Sequence, residues 1–157
     1  MTKAAQQAQA RGGRIPRMAW LPGMALLMIA PALWSADCAV NASGMEFGSY
    51  DAFSNQSLDG AANISVTCDV GTAYSLALSP GAGSYEVRAM AFGLHRLFYN
   101  LYTDATLATV WGDGSGDTAI VAAVAPVASH TVYGRIPARQ NAYVGIYADT
   151  IVVTVTF

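Results

Sequence analysis

The chain has 157 residues, 54% of them hydrophobic and only 11% charged, with a formal net charge of −2 at pH 7. That length suits one domain rather than two. Neither the charge nor its sign supplies the basic surface that nucleic acid or an anionic membrane would need, which excludes both as partners of the folded domain.

Residues 1–36 carry Lys3, Arg11, Arg14 and Arg17 and no acid, followed by an apolar stretch from Met18 through Met24, Leu26, Leu27, Met28 and Ile29 to Trp34. This order of basic, apolar and small-residue segments predicts a secretory signal peptide, removed after Ser35 or Ala36. The rival reading is an uncleaved anchor, but Pro22, Gly23 and Pro31 interrupt a run already short for a bilayer span. A mature chain of residues 37–157 keeps four arginines (Arg88, Arg96, Arg135 and Arg139) against ten acids and no lysine, a net charge of −6. Cys38 and Cys68 lie 30 positions apart in this part. In an oxidising compartment they read as one disulfide, whose loop closure is worth about 3 to 4 kcal/mol. The rival is a pair of free or metal-binding thiols, for which no second ligand pair stands at zinc-like spacing.

In chain order, Cys38, Val40 and Ala42 alternate with Ala39, Asn41 and Ser43. Gly44 then shifts the phase so that Met45 and Phe47 face inward, predicting a first strand with a bulge. A polar loop from Gly48 to Gly60 precedes the clearest alternation: Ala62, Ile64, Val66 and Cys68 on one face, Asn63, Ser65 and Thr67 on the other. Tyr74, Leu76 and Leu78 repeat it until Ser79-Pro80-Gly81-Ala82-Gly83-Ser84 breaks the pattern. Leu97, Tyr99 and Leu101 opposite Phe98, Asn100 and Tyr102 give a strand apolar on both faces, hence central. Further strands are expected around residues 109–111, 118–124 and 131–136, and a last one from Tyr147. In that last run Ile151, Val153, Val155 and Phe157 alternate with polar or solvent-facing positions. No window shows a helical period, and short strands separated by turn clusters define an all-β sandwich or barrel. A terminal strand apolar on one face must lie in a sheet, and an uncovered edge beside it invites another strand.

Catalytic chemistry finds no support. His95 and His130 are the only histidines, stand without a nearby carboxylate in sequence and read as solvent-facing. Nucleophile elbow, zinc-protease helix and phosphate loop are all absent, so no catalytic residue, metal ligand or cofactor is assigned. Gly112-Asp113-Gly114-Ser115-Gly116-Asp117 offers two carboxylates to Ca²⁺ but lacks the longer ligand series and distal Glu, so a turn accounts better for it. Three glycosylation tripeptides, at Asn41, Asn55 and Asn63, are read as chance because two fall in strands. Eight tyrosines would suit a sugar-binding surface, although Trp20 and Trp34 leave with the signal and Tyr99 alternates into the core.

Three stretches carry a resemblance: Phe47-Gly48-Ser49-Tyr50-Asp51; Tyr99-Asn100-Leu101-Tyr102-Thr103-Asp104 leading to Val110-Trp111-Gly112-Asp113-Gly114; and Val132-Tyr133-Gly134-Arg135-Ile136-Pro137. With Ile64-Ser65-Val66-Thr67-Cys68 and Tyr147-Ala148-Asp149-Thr150, they resemble the spore coat protein U domain along essentially the whole mature chain. The family includes secreted coat proteins and subunits of archaic chaperone-usher pili. The resemblance implies an immunoglobulin-like sandwich lacking its last strand. A periplasmic chaperone first lends that strand at the usher pathway's start, and the extension of another pilus or coat subunit then replaces it. Ile151, Val153, Val155 and Phe157 would border the acceptor groove, and four or five donor side chains entering it would contribute roughly 6 to 15 kcal/mol. Cleavage beside Asp37 leaves too few residues ahead of Cys38 for a donor of about ten residues. The expectation is therefore a terminal or minor subunit, exported through the periplasm to the cell surface, that accepts a strand without giving one. The alternative is a self-sufficient single-domain adhesin or glycan-binding module.

Overall fold

The computed structural model describes residues 37–157; the segment predicted as a signal peptide, residues 1–36, lies outside them. Two long strands form its frame, β2 (Leu58–Leu78) and β7 (Val121–Ile136), antiparallel from Leu58 opposite Ile136 to Leu76 opposite Val121. Alternation dictates which side of β2 faces in: Ile64, Val66, Cys68, Tyr74, Leu76 and Leu78 are buried while their odd-numbered neighbours are more exposed.

The expected pair of strands at residues 62–68 and 74–78 is in fact the single strand β2. The ladder slips between them, because Thr67 opposes Val127 whereas Thr72 opposes Ala125. Four β2 residues, 68–71, thus face Pro126 alone. Proline has no N–H to donate to a ladder, so the register breaks where it stands. The same break changes the phase of β7: Ala128, Val132 and Ile136 face in beyond it, Val121 and Ala123 before it. This is why residues 118–124 and 131–136 read as two strands although residues 121–136 form one.

Around the frame lie β1 (Cys38–Ala42), β3 (Arg88–Phe92), β4 (His95–Tyr102), β5 (Val110–Trp111), β6 (Thr118–Ala119) and β8 (Val153–Thr156). The hydrogen-bonded order is β1-β2-β7-β4-β5-β6, with β3 against β4 and β8 against β2. The β5–β6 pair is parallel and all other pairs are antiparallel. No helix forms among the described residues. As expected, β4 is central, touching β3, β5 and β7, and it contributes Leu97, Tyr99 and Leu101 to a core that also holds Trp111. Strand β3 was not expected. The final strand is also shorter than predicted, since residues 147–152 make only one bridge, Ala148 to Ala91.

Two further expectations are corrected at the first strand. Gly44 makes no bulge: the ladder ends at Ala42 with Ser43 N donating to Asn63 O, and Met45 and Phe47 pack on the core from outside any strand. Val40 shares the inward face of its partner Val66, yet 41% of it stays exposed because little covers β1 on that side.

Cys38 and Cys68 are bonded, as read from the sequence, and stand directly opposite each other in the β1–β2 ladder with Cα atoms 4.1 Å apart. Backbone bonds at Asp37 with Asp69 and Ser43 with Asn63 place the cysteines at a non-hydrogen-bonded position, where antiparallel Cα atoms approach most closely. Because β1 buries so little, the covalent link carries much of its attachment. Cys68→Ser is expected to lower unfolding stability by about 3 kcal/mol in denaturant titration, with β1 amides losing hydrogen-exchange protection first.

Candidate functional site

Among the described residues, one side of the C-terminal segment has no partner. Ser79 N donates to Val152 O, and the β2–β8 register continues that pairing through Thr154 opposite Ala77 and Thr156 opposite Ser75. Ala148 exchanges both of its backbone bonds with Ala91 of β3. All these bonds use even-numbered residues. In an extended chain successive backbone groups point to opposite edges, so Tyr147, Asp149, Ile151, Val153 and Val155 turn theirs outward. Among the described residues, no strand pairs with that outer edge.

The same odd-numbered residues send their side chains toward the core, where Tyr147, Ile151, Val153 and Val155 are half-buried. Beside them opens a cleft of about 390 Å³. One wall is residues 147–153, the other residues 42–47 running on from the end of β1, and the floor is core: Ile64, Leu78, Tyr99, Leu101 and Val132. An apolar slot walled by unpaired backbone fits an extended peptide, which would satisfy the edge and fill the slot at once.

The edge rests on polar supports. Asp149 Oδ2 accepts from the Tyr99 hydroxyl at 2.7 Å, and Asp149 Oδ1 accepts from Ala82 N at 3.1 Å and Thr150 N at 2.8 Å. Burial first, and the Asp149 carboxylate second, push the Tyr99 phenol well above its ordinary pKa, so it remains a donor. Val152 N donates to Ser79 Oγ at 2.9 Å. Behind Ser79 stands Arg88, fully buried at the start of β3. Its Nε and Nη2 donate to Ser79 O at 3.2 and 3.0 Å, Nη2 also to Trp111 O at 2.7 Å, and Nη1 to Asn100 Oδ1 at 2.5 Å. Burial lowers the guanidinium pKa, and the neighbouring tyrosines and Asp149 oppose that shift.

Of the four residues expected to border a groove, Ile151 and Val153 line the cleft and Val155 packs on the core further along. Phe157 is mostly exposed, its ring 6.4 Å from that of Tyr74. His95 is exposed and stacked on Tyr143 at 4.5 Å. His130 is not solvent-facing as expected: the phase change at Pro126 turns it inward opposite Ile64, half-buried and 2.8 Å from the Tyr74 hydroxyl. The Asp113 carboxylate is occupied within its own turn by Ser115 N and Oγ. Reasoning from the sequence missed Arg88 and Asp149. It also missed an apolar surface formed by two loop tips, where Leu94, Val144 and Ile146 are 97%, 91% and 88% exposed.

An all-β sandwich whose last strand is paired on one side only, with a cleft beside it, has an immunoglobulin-like fold. Residues 24–154 match the model of the Spore Coat Protein U domain, and the chain belongs to that family. Protein U of Myxococcus xanthus is 33% identical over 127 residues, covering 72% of this chain and 71% of that protein. Among solved structures, one chain of the CsuC–CsuE chaperone–tip adhesion subunit pre-assembly complex, from archaic chaperone-usher Csu pili of Acinetobacter baumannii, superposes with a TM-score of 0.57 at 22% identity. The match covers 78% of this chain and 40% of that one, and establishes the shared fold.

Proposed function

We propose that the protein is a non-enzymatic structural subunit of a chaperone-usher pilus or secreted coat, whose sandwich is finished by a strand from another polypeptide. The observation that carries this reading is the outward-facing backbone of residues 147–155 alongside a cleft that reaches the core. Each large apolar side chain entering the cleft contributes about 1.5 to 3 kcal/mol. Two or three of them amount to a large share of a domain's usual 5 to 15 kcal/mol of stability, roughly. A periplasmic chaperone would fill the cleft in transit, and the extension of another subunit after delivery to the usher would replace it at the cell surface.

Expressed with its leader in a Gram-negative host, the protein is expected to be degraded or to aggregate alone, and to become soluble when a cognate chaperone is co-expressed. A soluble monomer that unfolds cooperatively without any added strand would contradict this. Cleavage beside Asp37 is part of the same proposal. It would leave no donor segment ahead of β1 and place the subunit at a fibre end or in a minor adaptor position, which the mass of the mature N-terminus reads directly.

One observation favours the alternative, a self-sufficient adhesin. The tips Leu94, Val144 and Ile146 project free of the domain. They carry no side-chain hydrogen-bonding group, which suits an apolar contact better than a glycan.

A further inference from the structure

Besides the Ala148–Ala91 pair, the open-edged segment is fastened at two points, and both fasten to the same turn. Asp149 reaches Ala82 N, and Val152 takes a bond from Ser79 N and gives one to Ser79 Oγ. Ile151, which lines the cleft, lies between these points. The turn of residues 79–82 is itself fixed from below by the two Arg88 bonds to Ser79 O. Gly81 lets the turn close on the carboxylate: its φ is +64°, and a Cβ there would overlap Asp149. Tyr99, from the floor of the cleft, supplies the third bond to Asp149.

An edge segment with no strand on its outer side gains no ladder bonds there to hold it straight. Each residue that must be ordered when a strand docks adds an entropic cost, so an edge already extended binds faster and tighter. We infer that Asp149 is a positioning residue for strand addition: with Tyr99 and the turn of residues 79–82 it keeps residues 147–153 extended and Ile151 set in the cleft before any partner arrives. This rests on the strand-acceptor reading above.

The test uses the full chain and four variants, Asp149→Ala, Asp149→Asn, Tyr99→Phe and, as a control, Asp104→Asn. Asp104 caps backbone N–H groups of Thr106, Ala108 and Thr109 in a separate loop. Tyr99→Phe keeps the ring in the core and removes only the hydroxyl, so it remains informative if the Asp149 variants fold poorly. The probe is a synthetic nine-residue peptide of alternating valine and threonine. Asp149→Ala is expected to slow peptide association about tenfold, the factor for re-ordering roughly one residue. Tyr99→Phe and Asp149→Asn should fall between it and wild type, and the control should match wild type. In free protein, exchange of the Ala148, Val152 and Thr154 amides should rise at least about tenfold while the Leu76 and Leu101 amides do not change, which a merely structural role would not produce. If the wild type binds the peptide and the variants bind and exchange as it does, or if all amides accelerate together, the inference is overturned and the acceptor reading stands. A wild type that never takes the peptide overturns both.

Discussion

Val153→Asp is expected to abolish strand capture while leaving the rest of the fold in place. Val153 lines the cleft, is half-buried against the core and opposes Leu78 of β2. A carboxylate there shares the cleft with Ile151, Leu78 and Leu101 and with no cation among the lining residues, and the buried guanidinium of Arg88 is already engaged with Ser79, Trp111 and Asn100. Before capture the charge can still reach water through the open cleft, so the free domain loses comparatively little. Once a donor closes the cleft, the charge is buried without a partner, at a cost of about 3 to 5 kcal/mol. That corresponds to a 100- to 1,000-fold or greater rise in dissociation constant, roughly. Titration of labelled donor peptide against both proteins measures it. Val152→Asp is the matched control: it sits next in sequence, but its side chain faces solvent.

Arg88→Met is expected to lower the domain's stability by about 3 to 5 kcal/mol, the largest effect of any single change away from the cleft. Methionine fills similar volume but donates nothing. The carbonyls of Ser79 and Trp111 would lose the bonds Arg88 gives them, and Asn100 Oδ1 would keep only Leu101 N. Each newly unpaired buried acceptor costs about 1 to 3 kcal/mol. Arg88→Lys should recover only part, because one ammonium cannot match a fork whose nitrogens serve three separate acceptors. Denaturant midpoints, with chaperone or donor peptide bound to keep all variants folded, give the ranking wild type, Lys, Met.

Strands whose two faces differ in polarity were legible in the sequence. Ile64-Ser65-Val66-Thr67-Cys68 alternates cleanly, and the structure buries the residues that alternation selects. The single length of β7 was not legible, because Val121-Ala122-Ala123-Val124-Ala125 is apolar at every position and carries no phase, and because Pro126 reads as a break. Strand β3 escaped for another reason. Arg88-Ala89-Met90-Ala91 has no β-branched residue and opens on a cation; its extended form comes from β4 on one side and Ala148 on the other. Half of the cleft wall was legible too, since Ile151 and Val153 stand at alternate apolar positions. Asp149 was not, because its role depends on Tyr99 and Ala82, 50 and 67 positions away in sequence. No local pattern encodes a contact of that separation.

The account stands on an edge that is open in the lone protein and closed in its complex. Amide hydrogen exchange at Ile151, Val153 and Val155 reads that state residue by residue, since their N–H groups face outward on the unpaired side. These amides should exchange freely in the isolated chain and become strongly protected when chaperone or donor strand is added, while Thr154, already bonded to β2, changes far less. Protection of all three in an isolated monomer, or their continued exposure in the complex, would contradict it.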